Sequence, residues 1–141
     1  MGLSPQLHIA PKGPPSRIAI RSGKKILFID TADIIAVEAE GHYVVLQHKS
    51  NGYLLRESIS TMAEKLSLFG FVRIHRSSLV NAAFVEEIQP LSTGEYVLRV
   101  RGGKRYTVTR TYKKNLHLLA ESWIGTDGFG QIDRGGLINS D

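Results

Sequence analysis

Residues 71–81 read Phe-Val-Arg-Ile-His-Arg-Ser-Ser-Leu-Val-Asn and place two arginines and a histidine among five apolar side chains. A surface loop does not need so many apolar residues. A core strand does not tolerate so many cations, because an unpaired buried charge is costly. The segment therefore predicts a strand and an adjoining turn that offer Arg73, His75 and Arg76 as hydrogen-bond donors to a polyanion.

Charge is concentrated around this segment. The chain of 141 residues has a net charge of +5 and a pI of about 9.6. Between residues 71 and 114, nine Lys and Arg stand against three Glu, which is half of all 18 basic residues. This excess favours an acidic partner such as nucleic acid or an anionic membrane, although a modest positive charge also serves solubility.

Composition limits the class of protein further. Hydrophobic residues make up 42% of the chain, enough for one domain with a core. There is no cysteine, which excludes disulfides, thiolate metal sites and a cysteine nucleophile. No apolar run approaches the roughly 18 residues of a membrane span, and the N-terminus has no signal-peptide core. We therefore expect a cytoplasmic protein.

Outward from residues 71–81, short β-like runs alternate with turn signals, which predicts a mostly β domain of nine or ten short strands in small sheets. Asn51-Gly52 is the strongest hairpin signal, since both residues tolerate positive φ. Ser58 and Gly70 bound one predicted helix at about 58–69, and a second is predicted at about 111–123. The other predicted strands are 17–22, 25–30, 34–39, 43–48, 53–56, 84–89, 96–101 and 104–109.

Three regions follow from the distribution of proline and glycine. Residues 1–16 hold four of the five prolines and predict a flexible lead or linker. Residues 17–124 should form the domain. Residues 125–141 are rich in glycine and poor in apolar clusters, which predicts a disordered tail.

No catalytic or metal-binding pattern stands out. The sequence lacks a Gly-x-Ser-x-Gly elbow, a phosphate-binding glycine loop and a His-Glu-x-x-His pair. His42 and His48 have no third ligand beside them. Glu86 and Glu87 should point to opposite faces of a strand, so they should not act as an acid/base pair. We expect no enzymatic activity, no cofactor and no metal.

The predicted hairpin at 96–109 separates apolar from basic side chains. Leu98 and Val108 fall on one face together with Tyr96, Val100 and Tyr106, while arginine and threonine fall on the other. The basic face is suited to a polyanion, and it is equally suited to an exposed edge that discourages aggregation.

Three predicted turns each offer a long or aromatic donor among small residues. They lie at 40–43, 76–78 and 109–111, and their principal donors are His42, Arg76 and Arg110. Arginine forms paired hydrogen bonds to guanine or to phosphate, and histidine and serine contact base edges or phosphates. Any one of these turns alone is equally consistent with an ordinary surface charge.

Four blocks together resemble the LytTR DNA-binding domain of bacterial response regulators. They are Asp-Ile-Ile-Ala-Val-Glu-Ala-Glu-Gly-His-Tyr-Val at 33–44, Arg-Glu-Ser-Ile at 56–59, the segment at 71–81 and Tyr-Thr-Val-Thr-Arg at 106–110. The resemblance covers about residues 18–119. It implies an elongated β module whose loops enter successive major grooves. By position, His42, Arg76 and Arg110 match the family's main DNA-contacting residues.

The sequence therefore predicts a transcriptional regulator that binds double-stranded DNA at promoter repeats, with homodimer formation on DNA left open. Most members carry a receiver domain or another sensory domain, which this chain does not show, so the domain was separated from it or acts alone. The alternatives are an RNA or single-strand binder and a protein-interaction module. The residues expected to contact phosphate or to support the loops are Arg73, His75, Ser77, Ser78, Asn81, Arg99, Arg101, Lys104, Arg105, Thr109, Lys113 and Lys114.

Overall fold

The computed structural model describes residues 16–49 and 51–125, and the elements below belong to these ranges. Ten strands form three antiparallel sheets. The strands are β1 (Arg17–Ser22), β2 (Lys25–Asp30), β3 (Ile34–Glu40), β4 (Tyr43–His48), β5 (Gly52–Leu55), β6 (Phe71–His75), β7 (Ser78–Asn81), β8 (Val85–Pro90), β9 (Tyr96–Val100) and β10 (Arg105–Val108). The helices are α1 (Ile59–Leu66) and the 3-10 segments Thr31–Asp33, Ser67–Phe69, Ala82–Phe84 and Arg110–Leu119.

A five-stranded sheet in the order β5-β4-β3-β7-β6 lies at the centre of the fold. Strands β1 and β2 form a separate hairpin, and β8 to β10 form a three-stranded sheet in the order β10-β9-β8. Neighbouring residues of the central sheet alternate between two cores, because successive strand side chains point to opposite faces. Val37 and Leu79 pack on one face, and Ala36 and Val80 pack on the other.

Each face of the central sheet has its own core. One core joins the sheet to the β1–β2 hairpin and to α1 through Ile20, Ile29, Met62 and Leu66. The other joins it to the three-stranded sheet and the segment Arg110–Leu119, through buried side chains that include Leu98, Val100, Tyr106, Val108 and Leu116. The prediction of a mostly β domain is confirmed, and so is the predicted apolar face of the last hairpin.

Helix α1 begins at the predicted cap, but it ends at Leu66, and a 3-10 turn covers the rest of the predicted helix up to Phe69. The Ser58 hydroxyl accepts a hydrogen bond from the Thr61 amide at 3.0 Å, and Met62 and Leu66 are buried. Gly70 ends the following turn at a φ of 87°, in the left-handed region that favours glycine. Within the described residues, no helix combines the length and the apolar character that crossing a membrane requires.

Two local predictions differ from the structure. The predicted hairpin at Asn51-Gly52 is confirmed by the pairing of β4 with β5, but Gly52 lies inside β5 opposite Gln47, so it is part of the ladder rather than the centre of the turn. The predicted C-terminal helix at 111–123 is a 3-10 segment that ends at Leu119. Leu116 is its buried residue, and Tyr112, Lys113, Asn115 and Leu119 are half-buried around it.

The predicted lead (1–16) and tail (125–141) lie outside the described residues, apart from Ser16 and Gly125. The Ser16 carbonyl accepts hydrogen bonds from the amide and the hydroxyl of Thr31, at 2.8 and 3.0 Å. Ser16 is therefore attached to the domain.

Candidate nucleic-acid interface

The turns that carry His42 and Arg76 lie side by side at one end of the central sheet. Strands β3 and β7 pair with Glu38 opposite Ser78, and the Ala39 amide donates to the Ser77 carbonyl at 2.8 Å. The turn after β3 therefore adjoins the turn between β6 and β7. Both His42 and Arg76 are exposed there.

Arg110 is brought to the same end by the three-stranded sheet. The Thr109 amide donates to the Ile74 carbonyl at 3.0 Å, next to the end of β6. The Arg110 side chain lies against the β8–β9 turn, where a Cβ built on Gly94 would be 3.2 Å from Arg110 Cδ. We call the three turns that expose His42, Arg76 and Arg110 the loop edge.

Arg73 holds the Arg76 turn from inside. Its Nε donates to the His75 carbonyl at 2.9 Å, and its Nη2 donates to the Arg76 carbonyl. Its guanidinium lies 5.3 Å from the centre of the Tyr112 ring, and Asn115 donates to the Arg73 carbonyl at 2.9 Å. The Arg73 side chain therefore supports the loop edge and connects it to the C-terminal 3-10 segment.

His75 supports the same turn from its other side. Its Nδ1 lies 3.1 Å from the Ser77 amide, which donates to it, and 2.9 Å from the Ser77 hydroxyl. Since the amide can only donate, Nδ1 accepts and the ring proton of the neutral histidine is on Nε2. Ser77 is thus fixed by hydrogen bonds, whereas Ser78 is half-buried within the ladder of β7.

Asn81 has a structural role. It is buried and donates from Nδ2 to the Ile34 carbonyl at 2.9 Å and to the Thr31 carbonyl at 3.3 Å. Its Oδ1 accepts from the Ala83 amide at 3.0 Å, which caps the short 3-10 turn after β7. An amide with these three partners joins two segments of backbone and is not available to a ligand.

Arg99 lies between two carboxylates. Its Nη1 is 2.8 Å from Glu86 and its Nη2 is 2.9 Å from Glu87. The hydrogen bonds to Glu87 and then Glu86 raise the pKa of Arg99 above its usual value. The expectation that the two glutamates point to opposite faces is wrong, because a β-bulge inserts Glu86 as an extra residue opposite the step from Arg99 to Val100.

Arg101 and Lys104 also have partners within the domain. Arg101 lies 4.9 Å from the centre of the Phe84 ring and donates to the Ala83 carbonyl at 3.3 Å. Lys104 lies 2.7 Å from the Glu38 carboxylate, which also accepts from the Tyr106 hydroxyl at 3.3 Å. Burial, and next the charge of Glu38, raise the pKa of Tyr106, so this hydroxyl remains a donor.

Other predicted phosphate contacts have no carboxylate partner. Within residues 16–49 and 51–125, Arg105, Lys113 and Lys114 form no ion pair. Arg105 and Lys114 are exposed, Lys113 is half-buried, and the two lysines lie three and four positions after Arg110 in the same 3-10 segment. Thr109 is half-buried and follows β10, and its amide donates to the Ile74 carbonyl of β6.

Sequence reasoning did not select Arg56 as a site residue. Leu55 pairs with Val44, so Arg56 emerges beside the start of β4, and its guanidinium lies 5.6 Å from the centre of the Tyr43 ring. Tyr43 directly follows His42, which places Arg56 at the loop edge. An arginine at the end of a predicted strand, in a block that resembles the family, was the available signal.

The β1–β2 turn adds cations near Arg56. Arg21 and Gly23 share a groove with Tyr43 and Arg56, and Lys24 and Lys25 continue this turn. Within the part of the chain that is described, Arg21, Lys24 and Lys25 form no ion pair. In the same residues, no group of three or more His, Asp and Glu side chains is arranged to bind a metal ion.

Comparison with known sequences identifies a family and several relatives. Residues 24–121 match the family profile described as the LytTr DNA-binding domain. The chain is 33% identical over 103 residues to the sensory transduction protein LytT of Bacillus subtilis (strain 168), covering 73% of this chain and 43% of LytT. It is 35% identical over 104 residues to the positive alginate biosynthesis regulatory protein of Pseudomonas aeruginosa, covering 71% of this chain and 41% of that protein.

The chain therefore spans less than half the length of these curated relatives. Among solved structures, a LytTr DNA-binding domain from Bacillus cereus superimposes with a TM-score of 0.66 and covers 77% of this chain and 100% of its own. Sequence identity in this pair is 18%, so the likeness shows the fold alone.

Proposed function

The chain belongs to the LytTR family of DNA-binding domains, and from this we propose that it recognises a specific sequence in double-stranded DNA and so regulates transcription. The observation that carries the proposal is the loop edge. Three turns from separate parts of the sequence meet at one end of the fold, and each exposes a long donor. Such an edge suits the major groove, where each base pair has its own pattern of donors and acceptors.

We assign base contacts to His42, Arg76 and Arg110. The Arg76 turn is held by the hydrogen bonds of Arg73 and His75, which reduces the conformational entropy lost on binding. Arg110 is positioned by its contact with the glycine turn at Gly94. Preorganised donors of this kind favour discrimination between bases, since a displaced donor loses its hydrogen bond.

Phosphate contacts are assigned first to cations without carboxylate partners, because an ion pair must open before its cation can bind DNA. These cations are Arg105, Lys113 and Lys114, with Arg56 and the turn residues Lys24 and Lys25 as additions. Arg99, Arg101 and Lys104 remain predicted contacts of lower rank, since each already has partners. Arg73, His75, Ser77, Ser78, Asn81 and Thr109 are proposed to support the loops.

The role of the whole regulator is a further part of the proposal. Two relatives are named for sensory transduction and for regulation of alginate biosynthesis. The match covers less than half of the length of each. We propose that the domain is the DNA-binding output of a response regulator controlled by a receiver or sensory partner. It would act in the cytoplasm on promoter repeats, as a homodimer on DNA, without enzymatic activity.

Selection of bound duplexes from a random pool tests the proposal. We expect one enriched motif, and we expect the matching single-stranded DNA and RNA to bind much more weakly than the duplex. Arg17→Ala is a matched control, because Arg17 is an exposed arginine at the far end of β1 from the turn at Gly23. A pool without an enriched motif, or a preference for single strands, would contradict the proposed function.

A further inference from the structure

A groove separates the β1–β2 hairpin from the rest of its layer. It has a volume of about 520 Å³ and lies between β1, the edge strand β5 and helix α1. Strands β1 and β5 approach each other without joining one sheet, so the two sheets leave a gap between them. The volume falls in the range of about 300–1,000 Å³ that small-molecule sites occupy.

The interior of the groove is apolar. Ile20, Met62 and Leu66 are buried along it, and Ile18 and Leu55 are half-buried beside them. The side chains of two strands and one helix therefore form a continuous hydrocarbon surface, and an apolar body placed there would be removed from water.

The rim of the groove is positively charged. Arg21, Arg56 and Lys65 are exposed along it, against the single carboxylate of Glu57. Within the described ranges, none of these three cations forms an ion pair, and Glu57 accepts from the Ser58 amide at 3.2 Å. The rim thus offers a net positive charge at the opening of an apolar groove.

We propose that this groove binds a small amphiphile that has an apolar body and one anionic head group, such as a carboxylate. The body would lie along Ile20, Met62 and Leu66, and the head group would bind among Arg21, Arg56 and Lys65. The charge of the rim selects an anion over a neutral or cationic molecule of the same shape, because only the anion gains charge-assisted hydrogen bonds.

The groove is connected to the loop edge through Arg56, whose guanidinium lies on Tyr43, next to His42. A bound anion that engages Arg56 removes one of the cations that the proposed function assigns to phosphate. The amphiphile therefore weakens DNA binding. This second step rests on the proposed function, whereas the binding of the amphiphile does not.

Decanoate is the probe, used below the concentration at which it forms micelles. Without DNA, titration of isotope-labelled protein should shift the methyl resonances of Ile18, Ile20, Leu55, Met62 and Leu66. Decanol, which has the same chain without the charge, should bind about tenfold more weakly, as expected for the loss of a charge-assisted contact. Equal affinity for decanol, or shifts mainly at other methyl groups, would overturn the proposal.

Variants locate the head group. Arg21→Ala combined with Lys65→Ala should lower the affinity for decanoate by about tenfold or more. Arg17→Ala combined with Lys49→Ala, which removes the same charges outside the groove, should leave it unchanged, and a similar loss there would contradict the proposed site. Both variants should unfold cooperatively, which excludes misfolding as the cause.

The link to DNA is measured separately, by competition on the selected duplex. Decanoate should weaken DNA binding, and decanol at the same concentration should not. Decanoate that binds the groove but leaves DNA affinity unchanged would refute the link alone. A protein that binds decanoate but no duplex would refute the proposed function and leave the groove assignment standing.

Discussion

At the scale of single residues, neighbouring cations in one segment have different roles. Arg73 and His75 bind the backbone of the turn at 75–77, while Arg76 is exposed at its tip. The sequence places all three beside one another and identifies them as donors. It does not determine their directions, because these depend on carbonyls of the folded turn and on Tyr112, which lies far along the chain.

Arg73 and Arg76 should therefore differ in their effect on stability. Arg73→Ala removes two hydrogen bonds and a ring contact, so it should lower the free energy of unfolding by about 1–3 kcal/mol. Arg76→Ala should change it by less than about 0.5 kcal/mol, as for an exposed residue without a structural role. Urea unfolding of both variants checks this, and equal effects would mean that Arg73 does not hold the turn.

DNA binding by two further variants should separate base contacts from phosphate contacts. Arg76→Ala and Arg110→Ala should each cost about 1–3 kcal/mol on the preferred duplex and relax the preference at particular base pairs. Competition with single-base variants of the duplex measures this, with Arg17→Ala as the control. If both variants weaken all duplexes equally, these arginines bind phosphate and the assignment of base contacts is wrong.

At the scale of elements, the last hairpin tests the register. Leu98 is fully buried, so Leu98→Ala should destabilise the domain by about 2–4 kcal/mol, and Val108→Ala by somewhat less. Thr107→Ala is the control, because Thr107 is exposed on the opposite face of β10, and it should cost less than about 0.5 kcal/mol. Similar values for Leu98 and Thr107 in thermal or urea unfolding would show an inverted register.

Alternation of apolar and polar residues predicted this hairpin because its strands have one buried and one exposed face. The same rule failed at Glu86 and Glu87, since a bulge adds a residue that leaves no mark in the pattern. Helical spacing of apolar residues, a different rule, failed for the last predicted helix. There, apolar spacing did not distinguish an α-helix from a 3-10 segment that packs against β6, with Asn115 bonded to the Arg73 carbonyl.

At the scale of the whole molecule, positive charge is distributed differently on the folded surface than along the sequence. The basic residues between 71 and 114 divide into paired and unpaired groups, because Glu38, Glu86 and Glu87 reach Lys104 and Arg99. Lys24 and Lys25, from the other end of the domain sequence, follow Gly23, which lines the same groove as Arg56. Four turns of the fold, rather than one basic segment, therefore define the surface expected to meet DNA.

The described residues should fold without their flanking segments. A chain of residues 16–125 keeps both cores and the hydrogen bonds between Ser16 and Thr31, so its melting temperature should match that of the full chain. Removal of Ser16 as well should lower the melting temperature, since the buried Thr31 loses its partner. Calorimetry measures both chains, and a large drop for residues 16–125 would show that a flanking segment packs on the domain.

Salt dependence tests how the whole surface meets DNA. If about six phosphates are neutralised, a plot of log affinity against log salt should have a slope near −5. Lys113→Ala and Lys114→Ala should each reduce the slope by about one unit and weaken all sequences similarly, because these lysines form no ion pair with the carboxylates of residues 16–49 and 51–125. Lys104→Ala should change the slope less, since its ammonium group is 2.7 Å from Glu38 in the free domain and contacts DNA only if that pair opens.

Fluorescence titrations over a series of salt concentrations measure all three variants. A larger effect of Lys104→Ala than of the other two would show that the Glu38 pair opens on DNA, and a slope near zero for the unmodified domain would remove the electrostatic basis of the proposed function.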